Sequence, residues 1–293
     1  MRKYLKVISF LTLAFFLCMT HAGAKGMIQI KGSDTLINLV QRLSEVYMDK
    51  NPGKYIAVTG GGSGTGIAAL MNGKCDIADA SRNMKPKEIT RANARGITPK
   101  RVVIALDGLS VIVNENNPVD RLTMDKIGKI FRGEITNWSE VGGDNKPISL
   151  YGRQSNSGTF VLFRDMVLKG DYSPRMKRMN GNSQIVDSVK YDETGIGYVG
   201  VGYVKEAEGI TVLQVASREG ASYASPLNTE DVKTGRYPIS RPLNQYVNGT
   251  PSGAVRDFIA FELSPEGQAI VEEEGFFRIP KEYVEFNRKN AGI

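Results

Sequence analysis

The chain has 293 residues, 41% hydrophobic and 24% charged, with a formal net charge of +7. That is the composition of a soluble globular protein, long enough for one large domain or two modest ones. Its single histidine, His21, falls in an expected leader, so the mature chain excludes histidine general bases, Ser-His-Asp triads and histidine metal sites.

Residues 1–24 carry the leader pattern. Arg2, Lys3 and Lys6 form a basic start, Val7 to Met19 is apolar, and Ala22-Gly23-Ala24 is a small-x-small cleavage signal. The apolar run is short for a membrane span. Cys18 follows the bulky Phe16 and Leu17, which argues against lipidation. Cleavage after Ala24 lowers the net charge to +4 and leaves Cys75 as the lone cysteine, read as a small buried hydrophobe. No later stretch is long and apolar enough to span a membrane, so a soluble product outside the cytoplasm is expected. The basic stretch from Lys85 to Arg101 lacks interleaved aromatics and reads as a solvated surface, not a nucleic-acid site.

The elements then follow in order. Met27 to Lys31 is a strand ending at Gly32, and Thr35 to Asp49 an amphipathic helix stopped by Asn51-Pro52-Gly53. Tyr55 to Thr59 is a strand, Gly60 to Gly66 a glycine turn, and Ile67 to Met71 a short helix. Asp76 to Ala80 is a strand leading to Ser81-Arg82, Pro86 to Arg95 a helix, and Arg101 to Leu106 a strand. This βαβαβαβ order predicts a mostly parallel sheet with helices on its faces. Leu109 to Asn114 opens a second unit. Thr123 caps a helix over Met124 to Phe131, and strand Ile148 to Tyr151 feeds the helix Phe160 to Lys169. Asn182 or Ser183 caps a helix through Tyr191; Gly195 to Tyr203 is a glycine-rich strand and turn, and Thr211 to Val215 the last strand of the unit. The chain returns in extended form through Leu243 to Val247, then forms helices Gly253 to Glu262 and Pro265 to Glu274. The polar tail from Lys281 is expected at the surface.

Three strand-to-helix turns share one chemistry. Gly32-Ser33-Asp34-Thr35, Gly62-Ser63-Gly64-Thr65-Gly66 and Ser155-Asn156-Ser157-Gly158-Thr159 all place small hydroxyl residues at a helix start, and Arg153 precedes the third. A helix N-terminus offers unpaired N–H groups and partial positive charge, which suits a tetrahedral oxyanion. Each turn alone also fits an ordinary capped helix; the recurrence favours the anion reading. The architecture expected is α/β with two lobes, residues 25–104 plus 238–293 forming the first and 105–237 the second, with ligand held in the cleft between them. These residues do not name the anion. The glycine turn at 60–66 lacks the features of a nucleotide loop, and no cluster of carboxylates has metal-site spacing, so neither metal nor cofactor is expected.

GSDT at 32–35, GGGSGTG at 60–66, DIADASR at 76–82, IFRGEITNWSEVGG at 130–143, YGRQSNSGT at 151–159 and GIGYVGVGY at 195–203 together resemble the periplasmic phosphate-binding proteins of phosphate ABC transporters, the PstS family. The resemblance spans the mature chain in order. It implies a class II periplasmic binding protein, a monomer that is not an enzyme, which delivers inorganic phosphate to an ABC permease. It implies that Thr35 and the Leu36 backbone hold one phosphate oxygen, that Ser63 donates a second bond, that Arg153 pairs with the anion, and that Ser157, Gly158 and Thr159 complete the cup. Ser33 and Ser81 are placed alongside. Where well-known members have an aspartate that accepts the ligand's proton, this chain has Arg82, which suggests a second cation instead and leaves Asp34 and Asp79 as candidate acceptors. A buried carboxylate at that place would favour a protonated anion over sulfate. A receptor for another tetrahedral oxyanion, or a phosphate-ester hydrolase using the same cup, are the competing readings. The hydrolase lacks a base beside Ser157.

Overall fold

The computed structural model describes residues 26–293. The expected leader, with Cys18 and His21, lies outside the described residues.

Two five-stranded sheets organise the chain, one for each lobe. The first takes β1 (Met27–Gly32), β2 (Tyr55–Thr59), β3 (Ile77–Ala80), β4 (Pro99–Gly108) and, from far along the chain, β12 (Ser240–Asn248), in the order β2-β1-β3-β12-β4. β1 pairs in parallel with β2 and β3. β12 runs antiparallel to both β3 and β4 and so separates them. The second sheet takes β5 (Ser110–Asn114), β7 (Ser149–Arg153), β8 (Lys177–Met179), β9 (Gly195–Val199) and β10 (Ile210–Val212), in the order β10-β5-β9-β7-β8. A small third sheet pairs β6 (Arg121–Thr123) with β11 (Gln214–Ala216). The expected strand over Thr211 to Val215 is thus two strands in two sheets.

Helices cover the first sheet where the 3.6-residue periodicity places them. α1 (Ile37–Lys50) buries Leu39, Val40, Leu43 and Tyr47 along one stripe. α2 (Ser63–Met71) and α3 (Pro86–Asn93) follow β2 and β3. The tyrosine of α1 meets Phe258 of α8 (Gly253–Glu262) edge-on, with ring centroids 5.3 Å apart. The first helical turn begins two residues later than expected, because Ser33 and Leu36 close a turn of their own, Leu36 N–H donating to Ser33 O at 3.1 Å.

In the second lobe, α4 (Met124–Arg132) starts on Thr123, whose hydroxyl accepts from Lys126 N–H. α5 (Gly158–Phe163) is short and passes into a wider π turn over Arg164–Leu168. An aromatic cluster joins these elements: Phe163 stacks on Tyr198 at 4.1 Å and Phe131 meets Phe163 edge-on at 5.0 Å. Such pairs add roughly 0.5–1.5 kcal/mol each beyond buried area. Tyr198 then turns its hydroxyl to accept the N–H of Arg153 at 3.2 Å, so the cluster sets the end of β7 where the third turn begins. α6 (Asn182–Lys190) is capped by Gly181, one residue before the expected cap.

α7 (Thr229–Lys233) precedes β12, and α9 (Pro265–Glu273) starts on Ser264, as its Ser-Pro sequence predicts. The polar tail lies largely at the surface, as expected, and is helical. Residues Lys281–Ala291 form α10, and Asn287 is fully buried within it. Its amide pairs with both the N–H and the C=O of Val103 at 2.8 Å, and Asn290 donates to Arg101 O at 2.6 Å, so a polar-looking helix is fastened to β4 by two asparagines.

Candidate functional site

The three turns meet. Thr35 lies just before α1, Ser63 opens α2, Ser81 directly follows β3, and Thr159 sits in the first turn of α5. Thr35 Oγ1 and Thr159 Oγ1 are 3.0 Å apart, Ser81 Oγ and Thr159 Oγ1 3.4 Å, and Ser63 Oγ and Ser81 Oγ 3.3 Å. Four buried hydroxyls therefore form a continuous chain across the cleft. Fixed donors orient it: Ser81 N–H donates to Ser63 Oγ at 3.0 Å, and Arg241 Nη2 donates to Thr159 Oγ1 at 3.0 Å. Both oxygens keep their own protons for another acceptor.

Arg153 is 1% exposed, a rare state for a cation. Its Nη2 donates to Asp34 Oδ2 and, at 2.8 Å, to Asn180 O. Nε and Nη1 are buried with no partner in the protein. Unsatisfied buried donors on a charged group are costly, and an anion is the species that would satisfy them.

A second buried cation, Arg241, is bonded to the hydroxyl chain at Thr159. It is 3% exposed and lies on β12. Its Nε donates to Asp107 Oδ2 at 2.9 Å and its Nη1 to Ser81 O at 2.9 Å. Burial pulls its guanidinium below the ordinary arginine value; Asp107 opposes that, and the neighbouring charge of Arg153 adds to it. Two buried guanidiniums close enough to repel one another mark a place where negative charge is welcome.

Arg82, which its place after Ser81 suggested as a second cation, is engaged elsewhere through both terminal nitrogens, with Nε buried and unpartnered. Its guanidinium forks onto Glu88, with both bonds at 2.8 Å, and donates to Asn83 O at 2.9 Å. Glu88 also accepts Lys85 N–H at the start of α3, so the helix cap holds the arginine away from the hydroxyl chain. Asp79 likewise turns elsewhere, toward Gln245 and the interior of the first lobe. Asp34 does reach the cleft, but both its oxygens are engaged, by Gly61 N–H at 2.7 Å and by Arg153. Ser33 Oγ accepts Thr35 N–H at 3.3 Å and the Leu36 amide donates to Ser33 O, so both serve the local turn. Ser157 Oγ caps α5 by accepting Phe160 N–H.

Glycine permits the closeness of the two lobes. A Cβ on Gly62 would lie 2.8 Å from Asn156 O, and one on Gly158 would collide with Ser63 Oγ and approach Ser81 Oγ to 2.8 Å. Gly62 also has φ +87°, which other residues rarely adopt. Asn156 bridges the same gap, donating to Gly61 O at 2.8 Å and accepting Gly64 N–H at 2.9 Å. Gly158→Ala is therefore expected to fold normally by circular dichroism yet to weaken binding of a tetrahedral oxyanion about tenfold or more by calorimetry. The added methyl must push back two hydroxyls, at roughly 1–3 kcal/mol.

Among the described residues no group of three His, Cys, Asp or Glu side chains is placed to hold a metal ion, and no helix is long and apolar enough to cross a membrane.

Arg241 and Asp107 carried no signal in the sequence. Arg241 stands in an extended Ser-Arg-Pro-Leu segment without a motif, and only the insertion of β12 between β3 and β4 brings it to the cup.

Comparison with known proteins gives the family. Residues 19–266 match the model of the PBP superfamily domain. The chain is 32% identical to the phosphate-binding protein PstS of Pseudomonas aeruginosa over 290 residues, covering 93% of this chain and 89% of that one. It is 30% identical to PstS of Bacillus subtilis, covering 87% and 82%. A substrate-binding protein assigned to a phosphate ABC transporter of Clostridium perfringens, solved with bound phosphate, superposes with a TM-score of 0.78 at 31% identity, over 87% of this chain and all of that one. An ABC-type phosphate transport receptor from Vibrio cholerae gives 0.70 at 29% identity, over 86% of this chain. With the resemblance read in six sequence motifs now matched along nearly the whole chain and in the two-lobed fold, the chain belongs to the PBP superfamily and, within it, to the PstS family.

Proposed function

We propose that this chain is an extracytoplasmic receptor that captures inorganic phosphate between its two lobes and delivers it to the permease of an ABC transporter. The observation that carries the reading is the buried Arg153 guanidinium with Nε and Nη1 unpartnered, beside a chain of four hydroxyls. Phosphate offers four oxygens to such a cup, and charge-assisted bonds from a rigid guanidinium fork are among the strongest available. Thr35, Ser63, Ser81 and Thr159 are the hydroxyls we assign to the anion, with Arg153 as its main cation and Arg241 behind Thr159. The lobes divide after β4, which stays in the first sheet to Gly108, past the expected boundary at 104, and again before β12 at Ser240, and closure brings the third turn onto the first two. On this reading the receptor acts as a monomer, and it is not an enzyme: Ser157 Oγ is held as a helix cap, and among the described residues no carboxylate or histidine stands in hydrogen-bond contact with it.

Calorimetry of anion-stripped protein with inorganic phosphate, and separately with sulfate, tests this reading. One-to-one phosphate binding is expected. Among the described residues no carboxylate oxygen in the cleft is without a donor, since Asp34 and Asp107 each accept at both oxygens. Discrimination against sulfate therefore falls to hydroxyls that both accept and donate, and it is expected to be weaker than a free carboxylate would give. Absence of phosphate binding would refute the receptor assignment.

A further inference from the structure

Asp34 is joined to more of the cleft than any helix cap requires. Its Oδ1 accepts Gly61 N–H at 2.7 Å within the first lobe. Its Oδ2 accepts Arg153 Nη2 from the second lobe. Its backbone carbonyl accepts the hydroxyl of Tyr203, also from the second lobe, at 2.6 Å. The ion pair is largely dry, with Arg153 1% exposed and Asp34 16% exposed. The glycine turn makes room for this arrangement, since a Cβ on Gly60 would lie 2.5 Å from Asp34 Oδ1.

We propose that Asp34 is the positioning residue that couples lobe closure to anion capture: its carboxylate, carried by one lobe, fixes the anion-binding arginine of the other. Arg153 has three nitrogens. Asn180 O and Asp34 take Nη2, leaving Nε and Nη1 to the ligand. Asn180 lies in the second lobe and holds the arginine whether or not the lobes meet. The Asp34 bond exists only when they do. The guanidinium thus gains its second anchor on closure, at the moment when the anion is enclosed, and a preorganised donor retains its ligand longer. Tyr203 locks the backbone of the same residue from the far side, so the pair is gripped at both ends of Asp34. The opposite role is also conceivable in physical terms, with the carboxylate a rival anion that the ligand must outcompete. The two roles predict effects of opposite sign.

The proposal rests on the phosphate-receptor reading and is tested with inorganic phosphate on the full mature chain. Asp34→Asn keeps the acceptor for Gly61 N–H and removes the charge. It is expected to raise the phosphate dissociation rate about tenfold in stopped flow while the association rate changes little, because the loss falls on the closed state. Tyr203→Phe, which removes the bond to the Asp34 carbonyl and leaves the carboxylate untouched, is expected to shift dissociation in the same direction by less, and Asp34→Glu to recover part of the loss. Small-angle scattering of the ligand-free proteins supplies a readout that needs no phosphate: Asp34→Asn is expected to be more open than the parent chain. Tighter binding by Asp34→Asn, or unchanged dissociation together with unchanged scattering, would overturn the proposal. Should the parent chain bind no phosphate, the receptor reading fails while the scattering comparison still decides whether Asp34 holds the lobes together.

Discussion

Arg153→Ala is expected to cost the receptor about one to two decades of phosphate affinity, and more if the abandoned carboxylate repels the ligand. A lost charge-assisted hydrogen bond accounts for roughly 1.5–3 kcal/mol. Two N–H-bearing nitrogens have no partner in the protein and are the ones we assign to the anion; removing them leaves Asp34 uncompensated. Arg153→Lys separates the parts: it keeps a point charge but cannot bond Asp34, Asn180 and the ligand in one plane, so it should restore less than half of the lost free energy. Calorimetry on both variants checks this. Affinity unchanged in Arg153→Ala would place the anion elsewhere.

The second large effect concerns stability. Asp79 on β3 and Glu262 at the end of α8 are both buried, and one amide, Gln245 Nε2, donates to each, at 3.2 and 3.0 Å. Among the described residues neither carboxylate has an ion-pair partner. Burial pushes Asp79 up to about 8, against the relief of the Gln245 bond. Burial, followed by the charge of Asp79, pushes Glu262 well above the usual carboxylate range. The other titratable group that feels Asp79 is Cys75, itself raised to about 12 by burial and by the aspartates 76 and 79.

The sign follows directly. A carboxyl whose folded value is raised binds more protons when folded, so its contribution is fully present below about pH 4 and is lost as pH rises toward about 8. Asp79→Asn keeps an oxygen for Gln245 and cannot ionise. It is expected to be on the order of 2–4 kcal/mol more stable than the parent chain at pH 7.5 to 8, with the gap narrowing toward pH 4. Because the two acids share one donor, Glu262→Gln should give a similar gain, and the double variant less than the sum. Urea unfolding between pH 4 and pH 8 measures the gap. Curves that stay parallel across that range would mean the acids are satisfied as carboxylates.

How much of this was legible in the sequence follows from how local each cause is. The three hydroxyl turns were legible because glycine, small polar residues and the first apolar helix positions stand side by side, and the folded chain brings them together. The caps on Thr123 and Ser264 were legible for the same reason. Arg82 was legible as a residue next to Ser81, but its direction was not. It is set by Glu88, six residues on, which reaches back from the cap of α3 and could have been suspected from that spacing. Arg241, Asp107 and Glu262 were not legible at all. Their roles depend on β12 lying between β3 and β4, a pairing of segments more than 130 residues apart that no periodicity encodes. The interior role of Asn287 was hidden because one buried amide leaves the composition of its helix polar.

The late arrival of β12 also sets an order of assembly. The second sheet is drawn from one unbroken run, residues 110–212, and has all its strands once that run exists. The first sheet has a gap between β3 and β4 until residues 240–248 are available, and β4 gains its outer fastening only with Asn287 and Asn290. A chain threaded from its N-terminus through a narrow conduit would therefore emerge with its first 80 residues unable to close their sheet. The lobe that begins the chain is the last to fold, and the anion cup, with Arg241 at its back, forms only when nearly the whole chain is on one side.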